Sequence, residues 1–373
     1  MLTRIGLLLL SLLLSLAVSE VLVRVFTHFP ISFTSNKAPD PELSYTLDPK
    51  FPEVDRNGFR NPEFTGASQP VVDIAALGDS HTFGTNVSSD SSWPKLLGKR
   101  LGKRVYNFGV PSYGVYQYER LFYKALKLNP QWIIIALYPA NDLDYNCNLL
   151  DLPYWQKRFS LDLKFPAIGP CVRQRERSRV ERKERPNIFA RMGRWLTNHS
   201  AAVSLVSYYG REMKQNWSDY HFALGKFKTS LSLKRTEEHQ RATDLRLEWI
   251  RNHFDNSLIL FEQMAKEGQR TRVRLGVLVI PSQERVVMNF ATKNGVKIAP
   301  PLPSFLQEEA LTKEYLKFFA SRKIPAVDAL DSMVELLGQA AVSGEPVYPN
   351  GHPLANGYAA YARAAAQLLQ LSP

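Results

Sequence analysis

Four short groups of residues in this chain are of types that can act as nucleophile, base and oxyanion donor. Gly78-Asp79-Ser80-His81-Thr82-Phe83-Gly84 directly follows an apolar run, Val71 to Leu77. A serine at a strand-to-helix junction is lifted off the sheet edge, and the amides of a helix start stabilise negative charge beside it. Asn107 to Gly114 ends a second short apolar segment, and Ala140-Asn141-Asp142 ends a third. An asparagine amide in that place can donate to an oxyanion. Asn350-Gly351-His352-Pro353 brings an imidazole to the start of the last helical stretch. Each group alone has a plainer reading: a loop with a capping serine, a turn-forming Asn-Asp pair, a solvated loop histidine.

The elements that must position these groups are readable from periodicity. Val71–Leu77, Val105–Phe108 and Trp132–Tyr138 (WIIIALY) read as buried strands. Between them, Trp93, Leu96, Leu97 and Leu101, then residues 115–128, carry apolar side chains at helical spacing, with Gly102 a stop for the first. Strand, helix, strand, helix, strand predicts a three-layer α/β/α domain around a mostly parallel sheet. After a break the regularity returns. A long amphipathic helix covers about Asp244–Glu267, a strand Arg274–Ile280, a helix Phe305–Ser321 and a short strand Ile324–Val327, and an Ala-rich helix begins near Leu354. Open α/β sheets bind ligands beyond the carboxyl ends of their strands, where the first three of the groups above fall. Residues 31–70, rich in Pro, Asn, Ser and Asp, read as a linker or wrapping arm, and 71–373 as the domain itself. The stretch at about 150–240 breaks the pattern and reads as an insertion, with a helical cap as the expectation.

The 373 residues suffice for one large domain or two ordinary ones. A composition 45% hydrophobic and 22% charged excludes a disordered, collagen-like or polytopic membrane protein, and two cysteines exclude a disulfide-stapled miniature fold. Arg4 precedes an uncharged, leucine-dominated run from Ile5 to Ser19, fifteen residues, short of the roughly 20 that span a bilayer. Ala17-Val18-Ser19 fits a cleavage site. The apolar pattern nevertheless continues to Phe26, with Glu20 and Arg24 one helical turn apart. A cleaved signal peptide and an uncleaved transmembrane anchor over residues 1–30 both fit, and either exports the rest of the chain. In an oxidising compartment Cys147 and Cys171, 23 residues apart, are a disulfide candidate worth on the order of 3 kcal/mol. The net charge is +12, and Val172–Arg194 concentrates nine Lys/Arg against three Glu. That is a solvated face or a contact for an anionic polymer or lipid headgroups; nucleic acid is disfavoured by export.

Taken in order, the four groups resemble the blocks of the SGNH/GDSL hydrolase superfamily over about residues 71–142 and 274–370. The leading apolar helix and Asn57-Gly58-Phe59-Arg60 also resemble exported members acting on envelope or exopolysaccharide substrates. The resemblance implies a Ser80 nucleophile and His352 as its general base and then acid. It implies an oxyanion hole from the Ser80 amide, the Ser112 amide and the Asn141 side chain, supported by Asp79, Gly109 and Asp142, with no metal and no cofactor. His81 is expected to be a structural neighbour rather than the base. The implied activity is an acyl esterase or acyltransferase on ester-linked acyl groups, chiefly O-acetyl, of an exported or cell-envelope glycan. A glycan-binding protein without turnover and a membrane-surface lipid esterase are the rival readings. The chain departs from the family pattern at Ser112, where glycine is usual, and at Pro139, two residues before Asn141, where glycine is again usual. It departs most at Asn350 and Pro349, the positions of the family's acid. Three outcomes stand open there: Asn350 assists a Ser80–His352 pair, a carboxylate among Asp328, Asp331 and Glu345 substitutes, or the site is degenerate.

Overall fold

The computed structural model describes residue 11 and residues 14–23, 37–50, 53–64, 66, 71–144, 149–164, 192–193, 196, 200, 202–203, 206, 219–296 and 303–370. The chain divides into two units, one of residues 1–37 with 172–218 and the other of residues 38–171 with 219–373.

The larger unit opens with the wrapping arm. Strands β1 (Lys37–Asp40) and β2 (Ser44–Leu47) form a two-stranded sheet, and a bridge pairs Val54 with Arg60. The main sheet is built from β3 (Ile74–Leu77), β4 (Val105–Asn107) and β5 (Trp132–Leu137), each reached through a helix. Ser80–Phe83 is the single turn α1, Trp93–Leu101 is α2 and Val115–Leu126 is α3. Pro153–Leu161 is α4. Beyond it, β6 (Asp219–Leu224) and β7 (Phe227–Ser232) form an antiparallel hairpin that leads into α5 (Leu233–Ala242). The second half runs α6 (Glu248–Thr271), β8 (Arg274–Val279), α7 (Gln283–Lys293), α8 (Pro303–Ser321), β9 (Ala326–Asp328), α9 (Leu330–Ser343) and α10 (Ala355–Gln370).

The five main strands are parallel, in the order β4-β3-β5-β8-β9. The order reverses between β3 and β5, which leaves a crevice at their carboxyl ends. Every residue of β3, β4 and β5 is buried, as a sheet covered on both faces requires. Helices α2, α9 and α10 pack together on one face, α3 and α6 on the other. On the first face Ile74, Ala76, Ile134 and Ala136 join Trp93, Leu97 and Leu368 in one core, the alternate positions that a period of two dictates. Gly276 of β8 exists for that contact, since a Cβ there would press on Leu368.

The three-layer fold and its parallel sheet therefore stand as the sequence implies. Within 150–240 the described residues are helical over Pro153–Leu161 and again from Leu233, but not throughout. Residues 219–232 are a hairpin whose Leu224, Phe227 and Leu231 are buried in the main core, with Gly225 against the backbone of Ala341. Its two-residue loop, Gly225-Lys226, places glycine at φ +62°, a hairpin signal that the sequence does carry.

In the smaller unit residues 14–23 are helical, and Glu20 accepts hydrogen bonds from Ser200 Oγ at 2.7 Å and from the Ala202 amide at 3.1 Å. The expected partner Arg24 lies outside the described residues, as do Cys147 and Cys171 and all of 172–194 except Met192 and Gly193. Among the described residues no helix is long and apolar enough to cross a membrane.

Candidate active site

Ser80 is the first residue of α1, placed there by its neighbours on both sides. Gly78 ends β3 without a side chain because a Cβ would overlap Thr82. Asp79 caps the turn, its Oδ1 accepting from the His81 amide at 2.8 Å, and Gly84 closes it at φ +87°. Gly109, on the loop after β4, is likewise forced: a Cβ would overlap the backbone of Thr82 and Phe83. The single turn is thus wedged between two strand ends, and the serine hydroxyl has little freedom.

His352 comes from the loop between α9 and α10, and its Nε2 lies 2.8 Å from Ser80 Oγ. The two residues are 272 positions apart in sequence. Burial holds the imidazole well below its ordinary value, at about 3, with the positive Arg235 and His239 adding in the same direction. A neutral ring at physiological pH is the form able to take the Ser80 proton. The hydroxyl also lies 3.3 Å from Asp79 Oδ2. Burial pushes Asp79 up to about 7, against the pull of the His81 amide, the Ser80 hydroxyl and nearby backbone amides.

His81 packs among other rings. Its buried ring lies 4.8 Å from the His352 ring and 4.3 Å from that of Tyr138. Desolvation keeps it neutral.

The three expected oxyanion donors sit at the carboxyl ends of three adjacent strands. Ser80 follows β3, Ser112 follows β4 and Asn141 follows β5. Ser112 has φ +66°, a left-handed conformation that glycine adopts freely and serine at a cost, which explains why glycine is usual there. Two tyrosines hold this loop: Tyr45 of the arm donates to the Pro111 carbonyl at 2.6 Å, and Tyr113 donates back to the Tyr45 carbonyl. Asn141 lies in the turn that Asp142 fixes by accepting from the Tyr138 amide at 2.7 Å and the Tyr118 hydroxyl at 2.8 Å. The Asn141 side-chain oxygen is buried without a hydrogen-bond partner.

No candidate carboxylate reaches the base. Among the described residues none lies within ion-pair distance of the His352 ring. Asp328 pairs with Arg285 at 2.7 Å, Asp331 with Lys293 at 3.2 Å, and Glu345 is exposed. Asn350 turns elsewhere too: its Oδ1 accepts from Asn86 Nδ2 at 2.8 Å, so it holds the loop and not the ring. A Cβ at Gly351 would overlap Arg235, and one at Gly357 would overlap Pro353.

Several contributors escaped the sequence reading. Arg60 of the arm donates to the carbonyls of Phe83 at 3.3 Å, Gly84 at 3.0 Å and Val87 at 3.1 Å, fixing the exit from α1. Asn61 binds Asn107 twice, through its amide at 3.0 Å and its carbonyl at 2.8 Å. Asn107 in turn donates to Thr82 at 2.9 Å. Phe59 packs at 4.8 Å from the Phe108 ring. The only local signal for these was the Asn57–Arg60 segment; the partners lie too far along the chain for spacing to show them.

No protein-family model matches the chain, and no curated protein matches it. Solved structures do. Among them are GDSL proteins and esterases. A lipolytic protein of the G-D-S-L family from Desulfitobacterium hafniense is 12% identical, with a TM-score of 0.35, covering 79% of this chain and 98% of its own. A GDSL-like lipase from Bacteroides thetaiotaomicron is 12% identical at TM-score 0.37, covering 83% and 94%. A catalytic mutant of an acetylxylan esterase from Geobacillus stearothermophilus is 14% identical at TM-score 0.36, covering 82% and 96%.

Proposed function

We propose that the protein is a serine-dependent acyl esterase or acyltransferase of SGNH/GDSL type. One observation carries this reading: the 2.8 Å approach of His352 Nε2 to the hydroxyl that follows the first strand of the sheet. A serine hydroxyl is a weak nucleophile and needs a base at that distance.

In the reaction, Ser80 Oγ attacks the ester carbonyl carbon while its proton passes to His352 Nε2. Charge gathers on the carbonyl oxygen, which the Ser80 and Ser112 amides and the Asn141 side chain are placed to receive. Each such donor is typically worth ~3 kcal/mol. The carbon–oxygen bond to the leaving alcohol breaks as His352 returns the proton to it, leaving Ser80 acylated. Water or a sugar hydroxyl then attacks the acyl carbon, giving its proton to His352, and the bond from that carbon to Ser80 Oγ breaks as His352 passes the proton back to Oγ. Hydrolysis and transfer differ only in that last nucleophile.

The substrate in this reading is an O-acetyl ester on an exported or cell-envelope glycan. The enzyme acts outside the cytoplasm, tethered or released by its N-terminal segment, and the basic 172–194 segment meets an anionic polymer or lipid. A second reading, a glycan-binding protein that keeps the fold without turnover, is favoured by the absence of a carboxylate at His352 among the described residues.

Labelling with a serine-directed fluorophosphonate separates the two. The expected result is one adduct on Ser80, absent in Ser80→Ala, together with release of acetate from acetylated oligosaccharides. Folded protein that forms no adduct and releases no acetate above the Ser80→Ala background would leave only the binding reading. Preference for long-chain over short-chain nitrophenyl esters would move the substrate from glycan acetate to lipid.

A further inference from the structure

We infer that Arg235, on helix α5, is the positioning residue for His352, holding the base in place from behind where the family's acid is missing. The inference rests on the proposed Ser80–His352 reaction. Ser232 caps α5 and accepts from the Arg235 amide at 3.5 Å, so the residue sits in the first turn, facing the α9–α10 loop. Its Nη1 donates to the Asn350 carbonyl, two residues before the base. Its Nε lies 3.7 Å from Oε1 of Glu284, a fully buried carboxylate on α7. Glu284 also lies 3.4 Å from Nδ1 of His239, one turn further along α5. The guanidinium is therefore a strut with a fixed foot, Glu284, and a head against the loop.

Gly351 records the same contact from the loop side. It has φ +86°, and a Cβ there would overlap the Arg235 guanidinium. On the opposite side Asn86, which follows the nucleophile's turn, donates to Asn350 Oδ1 at 2.8 Å and to the His352 carbonyl at 3.2 Å. The loop carrying the base is gripped between these two residues, one joined to the nucleophile and the other to the hairpin–helix.

A cation in this position has an electrical consequence opposite to that of a triad carboxylate. The groups facing His352 are Arg235 and His239 from α5 and His81 from α1, with Asp79 beside Ser80 and Glu284 behind Arg235. The positive charge disfavours the imidazolium, so the base stays neutral and usable into the acid range.

The test uses the full chain with Arg235→Gln and Arg235→Lys. Hydrolysis of a short-chain nitrophenyl ester is followed against pH, and the His352 ring is followed by nitrogen NMR in a Ser80→Ala background, which needs no turnover. In Arg235→Gln, kcat is expected to fall about tenfold with KM little changed. The acid limb of kcat/KM, and the His352 titration, should move up by about one pH unit. Arg235→Lys keeps the charge but not the fork, so the limb should stay while kcat falls. If Arg235→Gln does not fold, the lysine variant decides. An unchanged kcat and unchanged titration in either folded variant would overturn the assignment. Should Ser80 prove unreactive, the proposed function fails, and the ring titration alone still decides whether Arg235 sets the state of His352.

Discussion

The side-chain amides of Asn86 and Asn350 face each other as a reciprocal pair: Asn86 Nδ2 donates to Asn350 Oδ1 at 2.8 Å, and Asn350 Nδ2 donates to Asn86 Oδ1 at 3.3 Å. The pair joins the segment after the nucleophile to the segment before the base. Asn350 thus occupies the position of the acid while spending its amide on the loop.

Replacing Asn350 by aspartate keeps the acceptor for Asn86 and loses the donor. It also adds a negative charge between Arg235 and His352. Activity near neutral pH is expected within about threefold of wild type, since one hydrogen bond of about 1 kcal/mol is lost and the loop keeps its other contacts. The added charge favours the imidazolium, so the acid limb of kcat/KM should move to higher pH. A pH–rate profile of Asn350→Asp against wild type checks both.

Ser112 offers a test of the oxyanion loop. At φ +66° a serine carries strain of roughly 1 kcal/mol that glycine does not. Ser112→Gly should leave kcat/KM near wild type and not lower the urea midpoint. Ser112→Val, which cannot hold this conformation cheaply, should lower kcat/KM by about tenfold or more. Equal activity in the two variants would remove the Ser112 amide from the reaction.

Arg60 tests whether the arm belongs to the site. It is buried, donates to three carbonyls around the exit from α1 and pairs with Glu53 at 2.7 Å. Arg60→Met should cost about 3 kcal/mol of stability, because the carbonyls lose their donor and Glu53 its partner. Ester hydrolysis should fall with it even at temperatures where the variant is fully folded, as measured by urea unfolding and kcat in parallel.

His253 gives a pH dependence independent of catalysis. Burial alone lowers it to about 3, and its Nδ1 lies 3.0 Å from the Tyr116 hydroxyl. The unfolded chain binds a proton below the ordinary value of 6.5 while the folded protein does not, so wild type loses stability on acidification. His253→Asn keeps an acceptor for Tyr116 and removes that linkage. The stability advantage of wild type over the variant should therefore shrink below that value by about 1.4 kcal/mol per pH unit, read from urea unfolding at several pH values.

The sheet and its helices were legible because their signals are local. WIIIALY can be little else than a buried strand, and the glycines at 78, 84 and 109 mark places where one backbone must touch another. The Ser80–His352 encounter was expected from a serine at a strand end and a histidine at the start of the last helix, and the two meet at 2.8 Å. What escaped was long-range and polar. Asn86 meets Asn350 across 264 positions and Arg235 reaches the Asn350 carbonyl across 115, and neither residue carries a sign of its partner. The hairpin 219–232 was missed for a different reason: the basic tract before it set the expectation for the whole stretch, although Gly225-Lys226 is a usable turn signal. Helices α7 and α9 follow directly on the strand ends at Val279 and Asp328, with no Gly or Pro between strand and helix other than Pro281 to mark their starts.

The arm also bears on how the enzyme can be handled. Because Tyr45, Asn61 and Arg60 each grasp a loop of the reaction centre, a recombinant version begun at the first main strand, near residue 71, would discard part of the scaffold along with the supposed spacer. Trimming for crystallisation or assay should spare everything from Lys37 onward.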